Sequence, residues 1–300
     1  AGGVGIVLPY FLPLLILTSF FEETGYIARI AFLIDIFMHK IGLHGKSVAA
    51  FILSIGCNVP ALYATRILEN QRDRLLTAIL IPFVPCSARL AVIFALTAVF
   101  AGPIWTVAIY LFVLFVIAIN GKILSKYIKK PMGLIMEMPD LKSPNLNVTM
   151  KKTYYKLQDF LREAFPYLVL GSLALNWVDY LQINSYLNLV FSPVMNYVLG
   201  LPEQLGATLI FGFLRKELIL VMATQAMGVS ELSQMGLSLQ QVIVFLIFVT
   251  LYFPCLTTFV VLWKEFGQKT AWASVALSIG IATISAFLFK LGFELYYLLF

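Results

Sequence analysis

Apolar runs long enough to cross a lipid bilayer recur along this chain, and they limit what it can fold into. A spanning helix needs about 20 predominantly apolar residues. Stretches near that length occupy residues 4–21, 75–99, 103–121, 163–178, 205–223, 239–263 and 271–298, with shorter apolar pieces at 26–38, 47–56 and 186–199. In lipid, every backbone N–H and C=O must find a partner within the protein, and these runs lack the two-residue alternation of barrel strands. The expected fold class is all-α, a polytopic helical membrane protein. Composition agrees: 12% of the residues are charged and the mean hydropathy is +0.92, against roughly 25% charged residues in soluble domains.

A net charge of +6 raises the question of nucleic acid, but the basic residues are not spread as a binding face would need. Nine of the 21 fall between 122 and 162: Lys122, Lys126, Lys129, Lys130, Lys142, Lys151, Lys152, Lys156 and Arg162. A cytoplasmic loop flanking the membrane accounts for this clustering, with membrane lipid and not nucleic acid as the partner. No signal peptide is visible, and the chain enters an apolar span almost at Ala1 without an initiating Met, so a portion of a longer protein is expected.

Two halves are expected from internal similarity. A shift of 157 residues places Leu8-Pro9-Tyr10 on Phe165-Pro166-Tyr167, Glu22 on Asp179 and Met38 on Met195; a shift of 158 places Gly42-Leu43 on Gly200-Leu201; a shift of 169 places Pro85-Cys86 on Pro254-Cys255. Loop 66–74 carries three arginines, whereas its counterpart at 225–238 has no Lys or Arg. The halves therefore have opposite orientation, with 66–74, 122–162 and 264–269 cytoplasmic and the 100–103 turn, the 178–185 connection and the C-terminus outside. The expected division is a first gate repeat at 1–121, a basic cytoplasmic linker at 122–162, a second gate repeat at 163–270 and a C-terminal transmembrane helix at 271–300.

All three cysteines adjoin helix breakers, in Gly56-Cys57-Asn58-Val59-Pro60, Pro85-Cys86-Ser87 and Pro254-Cys255-Leu256-Thr257. Proline inside a membrane helix frees backbone oxygens at bilayer depth, and broken helices at matching places point to a transport site. Thiolates are soft ligands for late first-row metals, and oxygens of Asn58, Ser87 and Thr257 would complete a weak, exchangeable shell. The competing reading of each cysteine is a small buried hydrophobe. Disulfides are disfavoured by the odd count and structural zinc by the absence of CxxC spacing. Charges inside or at the edge of spans form a second group: Glu22, Glu23, Asp35, Asp179 and the triplet Arg215, Lys216 and Glu217, which is either a self-paired cluster or a gate. Glu22 and Glu23 are expected to sit at an interface and cap the following helix rather than bind cargo, and they stand with Arg215, Lys216 and Glu217 as gating or ion-pair candidates; His39 and His44 are expected to be loop residues. Gly45-Lys46-Ser47 lacks the preceding glycine and strand of a nucleotide-binding loop.

The ordered motifs Glu22-Glu23-Thr24-Gly25-Tyr26-Ile27-Ala28-Arg29, Gly56-Cys57-Asn58-Val59-Pro60-Ala61, Ala64-Thr65-Arg66 and Pro85-Cys86-Ser87-Ala88-Arg89-Leu90 resemble the first gate region of the ferrous iron transport protein B (FeoB) family. Phe213-Leu214-Arg215-Lys216-Glu217 and Tyr252-Phe253-Pro254-Cys255 resemble its second gate, and Glu137-Met138-Pro139 a signature between the gates. The resemblance covers nearly the whole chain. It implies uptake of Fe(II), the transported substrate, across a prokaryotic inner or plasma membrane, with Cys57, Cys86 and Cys255 as pathway ligands and no catalytic residue in this chain. It also implies a GTP-binding domain, using GTP and Mg2+, on the same parent protein, together with a small cytosolic accessory protein and homo-oligomers as partners. That domain is expected to be missing from these 300 residues. A gate-type permease for nucleosides or another organic solute, and a non-transporting membrane scaffold, are the alternatives.

Overall fold

The computed structural model describes residues 2–127, 143–159, 194–202, 205–214, 219–229 and 236–299, with isolated positions between them that include Lys216. Every regular element among the described residues is helical. The first part runs α1 (Gly2–Glu23), α2 (Tyr26–Ile41), α3 (Ser47–Gly56), α4 (Asn58–Ala64), α5 (Gln71–Leu80), α6 (Ser87–Phe100) and α7 (Pro103–Tyr127). After the basic segment's α8 (Leu146–Asp159) come α9 (Leu205–Leu214), α10 (Ile219–Ala226), α11 (Leu239–Leu251), α12 (Leu256–Phe266) and α13 (Gln268–Leu299).

Four helical segments among the described residues are long and apolar enough to cross a membrane: Gln71–Phe100, Pro103–Tyr127, Leu239–Phe266 and Gln268–Leu295. Two of them are broken. The first kinks through the 3-10 turn Ile81–Phe83, where Pro82 and Pro85 cannot donate to the helical ladder, and the second opens at Tyr252 to Cys255 around Pro254. Within the apolar stretch 205–223 the described residues include α9 and α10, on either side of Lys216, while Arg215 and Glu217 lie outside them. The stretches 163–178 and 186–199 lie largely outside the described residues.

The core forms around α11. Val242 to Leu251 are buried on every face, as an all-round apolar helix must be, and α6 and α13 pack directly against it. By contrast, α7 leaves Ile104, Val107, Leu111, Leu114 and Phe115 exposed, a surface suited to lipid. A second cluster joins Leu15, Leu53, Leu62, Ile81 and Leu262, so α1, α3, α4 and α12 close together on the other side.

The end rich in arginine is held by ion pairs. Arg66 binds Glu265 in a fork, Arg74 donates to the same carboxylate at 2.8 Å, and Arg72 donates to the Ser125 carbonyl at 3.1 Å. Loops 66–74, the end of α7 and the end of α12 therefore share one end of the molecule, the end assigned to the cytoplasm by its charge. Glu22 and Glu23 do not cap α2. Its N-cap is Gly25 in the left-handed region, without a side-chain bond, while Glu23 pairs with Lys152 and Glu22 with Lys156, each at 2.6 Å. These pairs strap α8 to α1. His39 is also helical and not in a loop, lying in the last turn of α2 within 3.1 Å of Asp35 Oδ1; His44 lies in the following turn and accepts from the Lys46 N–H.

Gly42 and Gly200, which the shift of 158 residues aligns, share local geometry. Gly42 and Gly200 both take positive φ, at 85° and 67°, and the N–H groups of Leu43 and Leu201 close onto the carbonyls of Met38 and Met195 at 2.9 and 3.0 Å. A side chain at Gly42 would collide with Ser125 on α7, so this turn needs glycine for space as well as for its backbone angle.

Candidate metal pathway

Each cysteine occupies the same kind of place. Cys57 is the N-cap of α4, Cys86 of α6 and Cys255 of α12, all in extended conformation, none in a disulfide and all partly buried. Extended backbone is what a proline-broken helix leaves before the next helix starts. The sulfur then stands beside N–H groups without intrahelical partners, where negative charge is favoured. Cys255 Sγ lies 3.2 Å from Thr257 Oγ1 and 2.9 Å from Thr258 Oγ1.

The oxygen donors are differently placed. Asn58 is buried beside Cys57, and its Oδ1 has no hydrogen-bond partner. An orphaned amide oxygen in the interior is costly unless something else meets it. Ser87 spends its proton on the Gly56 carbonyl at 2.9 Å, which ties the Cys57 break to the Cys86 break and leaves the hydroxyl oxygen as an acceptor. Thr257 is buried against Cys255.

Two buried cations stand among these groups. Arg89, three residues past Cys86, donates to the carbonyls of Pro82 and Val84 in its own break, and to Phe253 O at 3.3 Å in the other. It is 1% exposed. Lys216 is 3% exposed and its Nζ sits 5.0 Å from the centre of the Tyr252 ring without a hydrogen bond. The Tyr252 hydroxyl donates to Leu209 O at 3.0 Å and anchors the second break to α9.

The fold thus links the Cys57 break to the Cys86 break through Ser87, and the Cys86 break to the Cys255 break through Arg89, with Lys216 against the Tyr252 ring of the last. Arg215 and Glu217 lie outside the described residues. Glu22 lines a cavity of about 250 Å³ at the arginine-rich end with Val59 and Pro60, just past the Cys57 break, and with Tyr63, Arg66 and Lys156. Among the described residues no three His, Cys, Asp or Glu side chains converge tightly enough to hold an ion. Sequence reasoning passed over Arg89 and Tyr252 as site residues. An arginine three residues into an apolar half-helix was the available signal, because intramembrane charge is rarely idle.

Comparison with known proteins interleaves two matches along the chain. A family model described as nucleoside recognition (Gate) covers residues 4–100 and 161–269, and one described as ferrous iron transport protein B C terminus covers 106–156. The Fe(2+) transporter FeoB of Methanocaldococcus jannaschii is 33% identical over 95% of this chain and 47% of that protein. The chain belongs to the ferrous iron transport protein B family. FeoB of Staphylococcus aureus strain COL is 31% identical over 95% of the chain and 46% of its own length, and FeoB of Campylobacter jejuni is 31% identical over 89% and 49%. The chain spans about half the length of these curated FeoB relatives. No solved structure matches it. Family membership and the apolar helices make it a multi-pass membrane protein of a prokaryotic family, and the matched part is the FeoB membrane region.

Proposed function

We propose that this chain is the permease core of a ferrous iron uptake system, passing Fe(II) along Cys57, Cys86 and Cys255 with oxygen from Asn58, Ser87 and Thr257. The observation that carries the reading is the common placement of the three cysteines, each at the start of a half-helix beside a break, with the Asn58 amide oxygen buried and unmet. Thiolate and oxygen donors together suit a borderline-soft divalent ion, and incomplete sets in series suit release better than storage. The names carried by the FeoB relatives supply the cargo.

On this reading the two gate repeats, 1–121 and 163–270, oppose each other across the breaks, 122–162 is the cytoplasmic linker and 271–300 the last membrane helix. Glu22 and Glu23, paired to Lys156 and Lys152, form a cytoplasmic latch beside the cavity, and Arg215, Lys216 and Glu217 belong to the second gate. The parent protein contributes a GTP-binding domain using GTP and Mg2+, with a small accessory protein and self-assembly as further partners.

Uptake of labelled Fe(II) and of a labelled nucleoside by vesicles carrying the full-length parent protein tests this. The expected result is iron uptake that falls at least about tenfold in Cys86→Ser and Cys255→Ser, and less in Cys57→Ser. Iron uptake at the parental rate in all three variants would remove the pathway, and nucleoside uptake in its place would install the organic-solute permease.

A further inference from the structure

The cavity at the arginine-rich end is a feature that the three cysteines leave unused. Its volume is about 250 Å³, and its wall includes Glu22 of α1, Val59, Pro60 and Tyr63 of α4, Arg66 just beyond, and Lys156 of α8. Val59 and Pro60 follow directly on Cys57 and Asn58, so the cavity lies against the first break, where the Asn58 amide oxygen is buried and unmet. A divalent ion with about six waters, at about 30 Å³ per water, needs roughly 180 Å³. The cavity has room for the ion together with its hydration shell.

Three charged side chains line it, and they are held in different ways. Arg66 is neutralised by its fork to Glu265 at the end of α12, two hydrogen bonds that fix the guanidinium in place. Glu22 is neutralised by Lys156 at 2.6 Å, in a pair whose side chains are 25% and 26% exposed. A lysine is a point charge on a flexible stem, and ion pairs reached by solvent hold little energy. The pair is therefore exchangeable where the fork is not. It also comes from a different element: α8 brings Lys156 to the cavity, and the Lys152 to Glu23 pair fastens the same helix to α1. With Lys156 in place each charge on the wall is matched; with Lys156 withdrawn a carboxylate is left facing the cavity.

From this contrast we infer that the cavity is a site for a hydrated divalent cation on the Glu22 carboxylate, masked in this arrangement by Lys156 of α8. Its role in transport rests on the metal-pathway reading. Carboxylate and water are hard donors, unlike the sulfurs at the breaks, so an ion passing from Cys57 to this cavity exchanges a soft partner for oxygen and regains its water there. The position of α8 decides whether the exchange is open. Seated on α1, the helix supplies the ammonium that occupies the carboxylate; lifted from it, the same helix takes that cation away and leaves a site that attracts the ion. The basic segment thereby controls the cavity through one charge, and whatever moves α8 controls it too.

The test is Mn(II) binding by the full-length protein in nanodiscs without nucleotide, followed by the loss of the free Mn(II) electron paramagnetic resonance signal. Mn(II) prefers carboxylate and water to sulfur, so it probes this cavity and not the cysteines. Lys156→Gln is expected to bind Mn(II) at least about tenfold more tightly than the parent, because the ammonium no longer competes. Adding Glu22→Gln to that variant is expected to remove the gain, and Lys156→Arg, which keeps the mask, to stay near the parental affinity. Lys152→Gln frees Glu23, which is not on the cavity wall, and is expected to change the affinity less than about twofold. Parental Mn(II) binding in a folded Lys156→Gln, or a gain that survives Glu22→Gln, would overturn the masked site. An equal gain in Lys152→Gln would also overturn it, since any unpaired carboxylate would then suffice. The pathway itself stands or falls on iron uptake by the cysteine variants, so the two readings fail in different measurements.

Discussion

The two Pro-Cys breaks look alike in sequence and are held in different ways. The first, between α5 and α6, is supported from within its own half: Arg89 takes the Pro82 and Val84 carbonyls, and Ser87 takes that of Gly56. The second, between α11 and α12, depends on the first half. Phe253 O receives the same Arg89, and the far end of α12 is fastened through Glu265 to Arg66 and Arg74. Backbone groups freed by a break must be met by something, and the source of the partner decides whether the break stands alone. The second break is the dependent one, so a change in the first half reaches Cys255 directly.

Removing Arg89 strikes at that dependence hardest. Arg89→Leu would leave carbonyls of both breaks unmet, and the expected loss is about 3 kcal/mol of stability, read as a lowered melting point in detergent. Hydrogen exchange should rise in residues 251–256 as well as 82–88; a rise confined to 82–88 would mean that the second break holds itself. Glu265→Gln comes next. It weakens a forked pair and a second charge-assisted bond at once, for an expected cost of about 1–2 kcal/mol, and it should loosen the end of α12 more than α6. Tyr252→Phe deletes only the hydroxyl that donates to Leu209 O, an expected cost of about 1 kcal/mol confined to the second break and α9. The smallest effect concerns the first half's rim. The Lys46 ammonium hydrogen-bonds Glu69 and holds its carboxyl below the usual range. A carboxyl lowered in the folded state favours folding above its unfolded value and loses that contribution as pH falls through the lowered folded value. Because Glu69 is fully exposed, titrating it should shift the local Lys46 signal without moving the melting point.

Much of this was legible from local features. Span lengths, the breaks at Pro82, Pro85 and Pro254 and the cysteines beside them follow from short-range chemistry, since a missing N–H and an apolar run act where they stand. The failures share a physical origin in distance. Glu22 and Glu23 looked like caps because their immediate neighbours were the only partners in view, whereas their real partners, Lys156 and Lys152, lie more than a hundred residues away in sequence. Arg89 was read as part of a motif, and its role as a bridge became visible only when the fold brought Phe253 to it.

The burial of α11 on all sides bears on how this protein answers to its membrane. A helix with no lipid-facing side does not feel bilayer thickness directly, whereas α7, with its long exposed apolar face, must tilt or stretch its surroundings to match it. Thickness, tension and lipid composition then act first on the outer helices and reach Cys255 only after passing through the packed centre. The proposed cargo route is thereby insulated from the lipid around it, and a membrane that thickens or thins with temperature would leave it unchanged.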